Sequence, residues 1–293
     1  VNVWGHSVPD FTATTVCFND MTNFGNLTTT PNLNTGGAPG YSWNFGDGSP
    51  TDATTNPTHT YSSSITGATF NATLVVTTTN GCADSVSKVV KINALPTATF
   101  SPVNACMNNN VLLKNTSSIG APDNINIYDW SFGANATPAT SNAQNPPSLT
   151  YSTSGIKNIT LLITANTSCT ATITHTVEIY PQPVANFSTT SVCQSTATAF
   201  TDLSTTTVGT ITGWEWDFTS NMTIDNNTQN PTNIFATSGT FTTTLIASSS
   251  NGCKDTVKLA VDVWGHTIPD FSPDNVCFGT ATTFTNQTSE TIN

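Results

Sequence analysis

The chain of 293 residues carries 6 Lys and Arg against 17 Asp and Glu, and only 8% of its residues are charged. The formal net charge of −11 argues against a basic surface for nucleic acid or anionic lipid. No run of about 18 apolar residues occurs that could insert into a membrane. Six Trp and fifteen Phe at recurring positions predict folded domains despite the polar composition.

The first predicted elements are a short strand, a turn region and an aromatic strand. A strand pattern runs from Phe11 to Cys17, and the Gly, Asn, Thr and Pro of residues 25–40 predict turns. An aromatic strand around Trp43 follows and leads into a Gly-Asp-Gly turn at residues 46–48.

Two longer strands complete this pattern. Residues 70–76 and 86–92 alternate apolar and polar side chains, as half-buried strands do. The Asn-Gly dipeptide at residues 80–81 lies between them and favours a hairpin. Helical periodicity is absent, and about seven short strands per unit predict an all-β fold of antiparallel, immunoglobulin-like sandwiches.

The aromatic strand recurs along the chain. Its central tryptophans, Trp43, Trp130 and Trp216, are spaced 87 and then 86 residues apart, which indicates a tandem array of one small domain. Each tryptophan alternates with further aromatic residues within its strand, so we assign all three to the domain cores. A sugar-stacking platform is the alternative function for these side chains.

The repeat predicts three complete domains and two fragments. Proline-containing junctions are short and should stiffen the connections, so the domains are expected to form an elongated rod. We expect the chain to be a segment of a longer polypeptide. The predicted ranges are 1–5 for the tail of a preceding repeat, 6–93, 94–180 and 181–264 for domains 1 to 3, and 265–293 for the start of a truncated fourth repeat.

The seven cysteines follow the same repeat. Each complete repeat contains one cysteine near its start and one before its last strand, so we predict disulfides within repeats. Free thiols in a cytosolic protein are the alternative, and a metal site is disfavoured because no CxxC motif or Cys/His cluster is present. Disulfides predict an oxidising, extracytoplasmic location. The predicted pairs are Cys17–Cys82, Cys106–Cys169 and Cys193–Cys253, with the partner of Cys277 outside the chain.

A longer period is superimposed on the shorter one. Residues 1–28 match residues 261–288 at 15 of 28 positions, but match residues 177–204 at only 9. We therefore expect the true repeat to be a block of three domains.

Several motifs resemble those of PKD (polycystic kidney disease) domains. They are Trp43–Gly48, the Asn-Pro-Thr-His-Thr-Tyr segment at residues 56–61, and the Pro-x-x-x-Phe openings at residues 96–100 and 183–187. The cysteine pair with Asn-Gly-Cys further resembles a subgroup in very large surface proteins of bacteria that use type IX secretion. That resemblance implies an extracellular, cell-surface array acting as a stalk, adhesin or filament.

The same resemblance implies glycosylation. O-glycans in such bacteria are attached to Ser or Thr that follows Asp and precedes an aliphatic residue. Ser85 and Thr256 match this pattern at equivalent positions, whereas the aligned Thr172 follows an alanine. We therefore name Ser85 and Thr256 as O-glycosylation candidates.

The sequence contains few candidates for catalytic residues. The four histidines do not recur in every repeat, and the carboxylates of Glu215 and Asp217 are expected to be solvated on the outer strand face. Asp47 between two glycines is a weak candidate for binding Ca²⁺, and a turn-stabilising role is favoured because the other repeats lack it. We predict no enzyme and no other cofactor or metal.

Taken together, these features predict a non-catalytic structural segment of a long extracellular repeat protein, with a role in adhesion or gliding. Its partners are expected to be neighbouring repeats, other copies in a filament, and surface glycans or a host surface. The alternative is a set of carbohydrate- or protein-binding modules attached to an exported enzyme.

Overall fold

A computed structural model describes residues 7–29, 40–62 and 66–290. Within these ranges the secondary structure consists of strands and turns, without a helix. The strands form consecutive antiparallel β-sandwiches, so the predicted all-β, tandem immunoglobulin-like fold is confirmed. The predicted tail at residues 1–5, and His6, lie outside the described residues.

The first repeat contains two sheets that face one another across an aromatic core. One sheet has the order β1-β3-β5 and the other has the order β2-β7-β6-β4. Strand β2 is too short to pair along the whole of β7 and meets only its end, where it runs parallel. The strands are β1 (Phe11–Ala13), β2 (Val16–Cys17), β3 (Met21–Asn26), β4 (Gly40–Asn44), β5 (Thr58–Thr60), β6 (Ala68–Thr77) and β7 (Ala83–Asn93).

The second repeat contains nine strands. β11 pairs antiparallel with β13 and β15, and the end of β16 pairs parallel with β9. The strands are β8 (Phe100–Pro102), β9 (Ala105–Cys106), β10 (Leu113–Asn115), β11 (Ile125–Ser131), β12 (Ala136–Thr137), β13 (Thr140–Ser141), β14 (Thr150–Tyr151), β15 (Gly155–Ala165) and β16 (Thr170–Tyr180).

The third repeat has the same two sheets as the first, in the orders β17-β19-β21 and β18-β23-β22-β20. Two short pairs then follow, β24 with β27 and β25 with β26. The strands are β17 (Phe187–Thr189), β18 (Val192–Cys193), β19 (Ala197–Asp202), β20 (Ile211–Asp217), β21 (Thr232–Ile234), β22 (Gly239–Ser249), β23 (Lys254–Trp264), β24 (Thr267–Ile268), β25 (Phe271–Pro273), β26 (Phe284–Asn286) and β27 (Ser289–Glu290).

The chain divides into two compact units, and the second repeat contributes segments to both. The first unit comprises Val1–Val103, Val111–Leu149 and Lys157–Val177. The second comprises Asn104–Asn110, Thr150–Ile156 and Glu178–Asn293.

Each core is built around one tryptophan. Trp43, Trp130 and Trp216 are at most 2% exposed, and each meets a phenylalanine of the opening strand edge to face, with ring centroids 5.0–5.2 Å apart. The indole N–H groups donate to main-chain carbonyl oxygens at 2.9–3.0 Å, so the buried polar atom of each ring is satisfied. Burying side chains of this size stabilises each sandwich by about 2–3 kcal/mol per residue.

Candidate functional sites: inter-repeat disulfides and the Asp47 turn

The two cysteines of the first repeat lie at opposite ends of its sandwich. Cys17 ends β2 and pairs with Asn93, the last residue of the closing strand β7. Cys82 directly precedes Ala83, the first residue of the same strand, in the turn between β6 and β7. An 11-residue strand is about 35 Å long. A disulfide requires Cα atoms within about 7 Å, so these two cysteines cannot bond to each other.

The disulfides instead join successive repeats. Cys17 of the first repeat bonds to Cys169 of the second, with Cα atoms 5.7 Å apart. Cys106 of the second repeat bonds to Cys253 of the third, with Cα atoms 5.6 Å apart. The predicted pairs Cys17–Cys82, Cys106–Cys169 and Cys193–Cys253 are therefore wrong, because the cysteine beside the end of the closing strand faces the next repeat.

The unbonded cysteines are more accessible than their bonded counterparts. Cys169 and Cys253 are at most 1% exposed, whereas Cys82, at the equivalent turn, is half-buried and carries a free thiol. Cys193 and Cys277 are exposed free thiols. An inter-repeat bond thus coincides with burial of the turn cysteine.

Asp47 belongs to a hydrogen-bonded turn. Its Oδ1 atom accepts from the main-chain N–H of Ser49 at 3.0 Å and from the Ser49 hydroxyl at 2.6 Å. Its Oδ2 atom lies 2.7 Å from Nε2 of His59, whose ring stacks on Phe45 with centroids 4.1 Å apart. A Ca²⁺ ion at Asp47, which stays a prediction, would have to displace these donors.

The electrostatics of this turn favour an ionised carboxylate. Partial burial acts to raise the pKa of Asp47, but hydrogen bonds from Ser49 and His59 outweigh it and hold the pKa below the ordinary value of 3.8. Nearby, the buried Tyr61 hydroxyl donates to the carbonyl of Phe45 at 3.0 Å. Burial, and then the Asp47 charge, raise the pKa of Tyr61, so it acts as a neutral donor.

The partnership of Asp47 with His59 was missed in the sequence. The sequence signal for this pair is that Asp47 and His59 occur together only in the first repeat. The positions aligned with His59 in the other repeats are Leu149 and Asn233. Leu149 is fully buried, so the second repeat fills this place with an apolar side chain.

The third repeat builds its turn from a different carboxylate. Asp217 is 5% exposed, so the prediction that it is solvated is wrong. Its Oδ1 atom accepts from the N–H groups of Thr219 and Asn221, and its Oδ2 atom accepts from that of Met222 at 2.7 Å. Three charge-assisted bonds compensate the burial of this carboxylate. The carboxylate of Glu215 pairs with Lys254 at 2.7 Å.

Both O-glycosylation candidates have exposed side chains at the start of a closing strand. Ser85 lies in β7 opposite Val75, and Thr256 lies in β23 opposite Ile246. The preceding aspartates differ in their contacts: Asp84 accepts from the N–H of Ser85, and Asp255 accepts from the N–H of Ala185 at 2.9 Å.

Two kinds of feature were sought in the part of the chain that the structure describes, a metal-binding cluster and a membrane-spanning helix. Within residues 7–29, 40–62 and 66–290, no three His, Cys, Asp or Glu side chains are grouped so that they could hold a metal ion. The same ranges contain no helix with the length and apolar character needed to span a membrane.

Comparison with known proteins gives one family. The sequence model of the PKD domain matches residues 9–92 and 180–263, together more than half of the chain. No curated protein matches.

Three solved structures are similar over part or most of the chain. The PKD1 domain of Vibrio anguillarum Epp is 22% identical, covering 28% of this chain and 93% of that one (TM-score 0.25). The PKD1 domain of the Vibrio cholerae metalloprotease PrtV is 24% identical, covering 28% and 96% (TM-score 0.25). Three N-terminal domains of the bacteriophage RB49 outer capsid protein Hoc are 8% identical, covering 88% and 98% (TM-score 0.39).

Proposed function

The chain belongs to the PKD domain family, and on that premise we propose that it is a non-catalytic structural segment of a long, exported repeat protein. In this proposal the repeats form a rod, stalk or filament on a bacterial surface and serve adhesion or gliding. The segment contacts neighbouring repeats, further copies in a filament, and glycans on the surface to which the cell attaches.

The observation that carries the proposal is the position of the disulfides. Each bond connects one repeat to the next, so every junction that it spans has two covalent connections in place of one. Proline at the junctions, as in residues 93–96 and 180–183, restricts the backbone further. Reinforcement at the junctions is what an array under tension requires, whereas a set of independent binding modules gains little from it.

The closing strand helps to hold the bonded cysteine at the junction. The N–H group that follows the cysteine donates to the carbonyl of the last residue of the closing strand in the first repeat (Phe18 to Asn93, 3.0 Å) and in the second (Met107 to Tyr180, 2.8 Å). The sulfur atom is therefore presented from a hydrogen-bonded frame rather than from a free loop.

Export is supported by the cysteine chemistry. Disulfides persist in oxidising compartments outside the bacterial cytoplasm, and reducing conditions would open them. The resemblance of the cysteine pair to type IX-secreted surface proteins supports the bacterial surface. The exposed Ser85 and Thr256 would carry O-glycans there.

Cleavage at one junction tests the stapled array, by which we mean consecutive repeats joined by disulfides. A specific protease site is inserted between Leu95 and Pro96, and the oxidised protein is cleaved to completion. The two fragments should stay together in a non-reducing gel and separate after reduction, because Cys17–Cys169 bridges the cut. The same insertion in a Cys17→Ser chain should separate without reduction. Fragments of the unsubstituted chain that part without reductant would refute the stapled array.

The native material tests the larger assembly. Electron microscopy of the protein as exported should show long filaments with a regular axial repeat, and isolated globules would count against the proposal. Glycosylation should raise the intact mass above that of the bare sequence. Alanine at Ser85 and Thr256 should remove that mass, whereas alanine at Ser87, which lacks a preceding aspartate, should not.

A further inference from the structure

The free thiol of Cys193 is held as its bonded counterparts are held. It ends β18 and pairs in parallel with Trp264, the last residue of the closing strand of the third repeat. The N–H of Gln194 donates to the carbonyl of Trp264 at 2.8 Å, as the residue after Cys106 does in its own repeat. Cys193 is therefore presented at the end of the third repeat in the way that Cys17 and Cys106 are presented at the ends of theirs.

The free thiol of Cys82 has the complementary geometry. The carbonyl of Cys82 accepts from the N–H of Thr78 at 2.8 Å, which closes the turn between β6 and β7. The bonded Cys253 makes the equivalent bond from Ser249, also at 2.8 Å. Cys82 thus has the turn geometry of a cysteine that receives a bond from the preceding repeat.

The strands that follow the third repeat have the register with which each repeat of this chain opens. β25 and β26 pair with Phe271 opposite Asn286 and Pro273 opposite Phe284. β1 and β3 of the first repeat pair in the same register, 260 residues earlier along the chain. β8 with β10 and β17 with β19 also share this register, so the pairing marks the start of a repeat. The sequence match between residues 1–28 and 261–288 indicates that this repeat is of the first kind.

The phenylalanines of β25 and β26 are exposed. Phe271 is 62% exposed and Phe284 is 66% exposed, whereas their counterparts Phe11 and Phe24 are at most 2% exposed. In the first repeat it is Trp43 that covers them, at centroid distances of 5.2 and 5.5 Å. Trp216 covers Phe187 and Phe200 in the same way, at 5.1 and 5.4 Å, so the apolar face of β25 and β26 fits a strand that carries a core tryptophan.

We propose that Cys193 forms a disulfide with the Cys82-type cysteine of a fourth repeat that begins at β25 and is of the first kind. This rests on the proposed function, because it extends the stapling of consecutive repeats by one junction. The same rule makes Cys82 of this chain the acceptor for a Cys193-type cysteine of a repeat that precedes it. By the same rule, Cys277 of the fourth repeat would bond to the repeat after it.

The bond forms by two thiol–disulfide exchanges with a small-molecule disulfide such as oxidised glutathione. The thiolate of one cysteine attacks the reagent, forms a mixed disulfide and releases one thiolate. The second protein thiolate then attacks the protein sulfur of that mixed disulfide and releases the other. Two electrons pass to the reagent, which leaves as two thiols with the two protons that the protein thiols lose.

The test completes the fourth repeat within the full chain. Residues 34–93 are appended after Asn293, which keeps the offset of 260 positions that relates residues 1–28 to residues 261–288. The protein is oxidised with glutathione disulfide, its remaining thiols are alkylated, and peptides are mapped by mass spectrometry without reduction. The expected result is a linked peptide between Cys193 and the appended copy of Cys82, with Cys277 and the original Cys82 alkylated.

Two matched variants make the result decisive. Cys193→Ser should abolish the linked peptide and leave the appended cysteine alkylated, whereas Cys277→Ser should leave the link intact. A link between Cys277 and the appended cysteine would overturn the proposal, because it is the pairing within one repeat. A folded fourth repeat with a free appended thiol would also overturn it. So would an unfolded one, since β25 and β26 would then not open a repeat of the first kind.

This failure can be told apart from failure of the proposed function. The Cys17–Cys169 and Cys106–Cys253 peptides serve as internal references in the same digest. If they are present and the new link is absent, the inference about Cys193 falls while the stapled array stands. If they too are absent, the proposed array loses its main support.

Discussion

The bridge between Cys17 and Cys169 can be dissected with serine substitutions. Cys17→Ser, Cys169→Ser and the double variant each remove the same bond, so all three should lose the same stability. Cys82→Ser is the matched control, since Cys82 is an unbonded cysteine in the same repeat as Cys17. Pairing between repeats thus predicts strong coupling of residues 17 and 169, and none of residues 17 and 82.

The magnitude follows from the length of chain that the bond closes. The bonded residues are 152 apart in sequence, which corresponds to about 5 kcal/mol of loop-closure entropy in the unfolded state. If only the first repeat unfolds, the bond still closes a loop of roughly 80 residues, worth about 4.5 kcal/mol. Each variant is therefore expected to lose about 4–5 kcal/mol in the free energy of unfolding of the first repeat.

Urea unfolding followed by tryptophan fluorescence measures this loss, because Trp43 and Trp130 are buried in the two repeats that the bond connects. The double variant should match either single variant, and Cys82→Ser should stay within about 0.5 kcal/mol of the unsubstituted chain. Equal losses from Cys17→Ser and Cys82→Ser, or losses that add in the double variant, would refute pairing between repeats.

Three further predictions concern the turn after Trp43. Gly46 and Gly48 both have positive φ, but a Cβ at Gly46 would lie 2.5 Å from a main-chain oxygen, whereas one at Gly48 would meet nothing within 4 Å. In urea unfolding, Gly48→Ala should therefore lower the free energy of unfolding by about 1 kcal/mol, and Gly46→Ala should lower it clearly more. Tyr61→Phe should cost about 1–2 kcal/mol in the same assay by leaving a buried carbonyl unpaired. Because the folded-state pKa of Asp47 is lowered, its ionisation stabilises the fold above pH 3.8 and this advantage over Asp47→Asn is lost as the pH falls through the folded-state pKa. Acid titrations of unfolding in which the two chains run parallel would contradict the last of these.

The fold could be predicted because local patterns determine it. In β6 the residues Ala72, Leu74 and Val76 are fully buried while the residues between them are not, so the period of two in the sequence maps directly onto the two faces of the strand. The spacing of the tryptophans likewise reports one core per repeat. These signals depend only on residues close in sequence or on exact repetition.

The disulfides could not be predicted in the same way. The prediction of disulfides within each repeat assumed that the two cysteines of one repeat are neighbours in space. Their separation depends on the parallel pairing of Cys17 with Asn93, which joins residues 76 positions apart and leaves no periodic signal. The length of β7, visible as alternation over residues 86–92, was the one available hint that Cys82 and Cys17 lie at opposite ends.

The same dependence on distant residues explains why the partners of the carboxylates could not be predicted. Asp47 lies in the turn after β4 and Asp217 ends β20, and both closely follow a core tryptophan in sequence. One pairs with a stacked histidine, whereas the other binds three main-chain N–H groups. The partner in each case is set by the path of the following loop, which differs between the repeats. Local sequence identifies a turn there but does not identify what the carboxylate binds.

Placing the two cysteines at opposite ends of a repeat gives the array a direction. A repeat can bond forward only through the cysteine beside its closing strand and backward only through its hairpin turn, so each bond joins neighbours in one order. Bonds within repeats would stabilise each sandwich but leave every junction dependent on one segment of chain. Bonds between repeats close loops of similar entropy and also double the covalent connection at the junction. The cysteine pattern therefore serves continuity between domains more than the stability of any single domain, which is why we place its function at the level of the array.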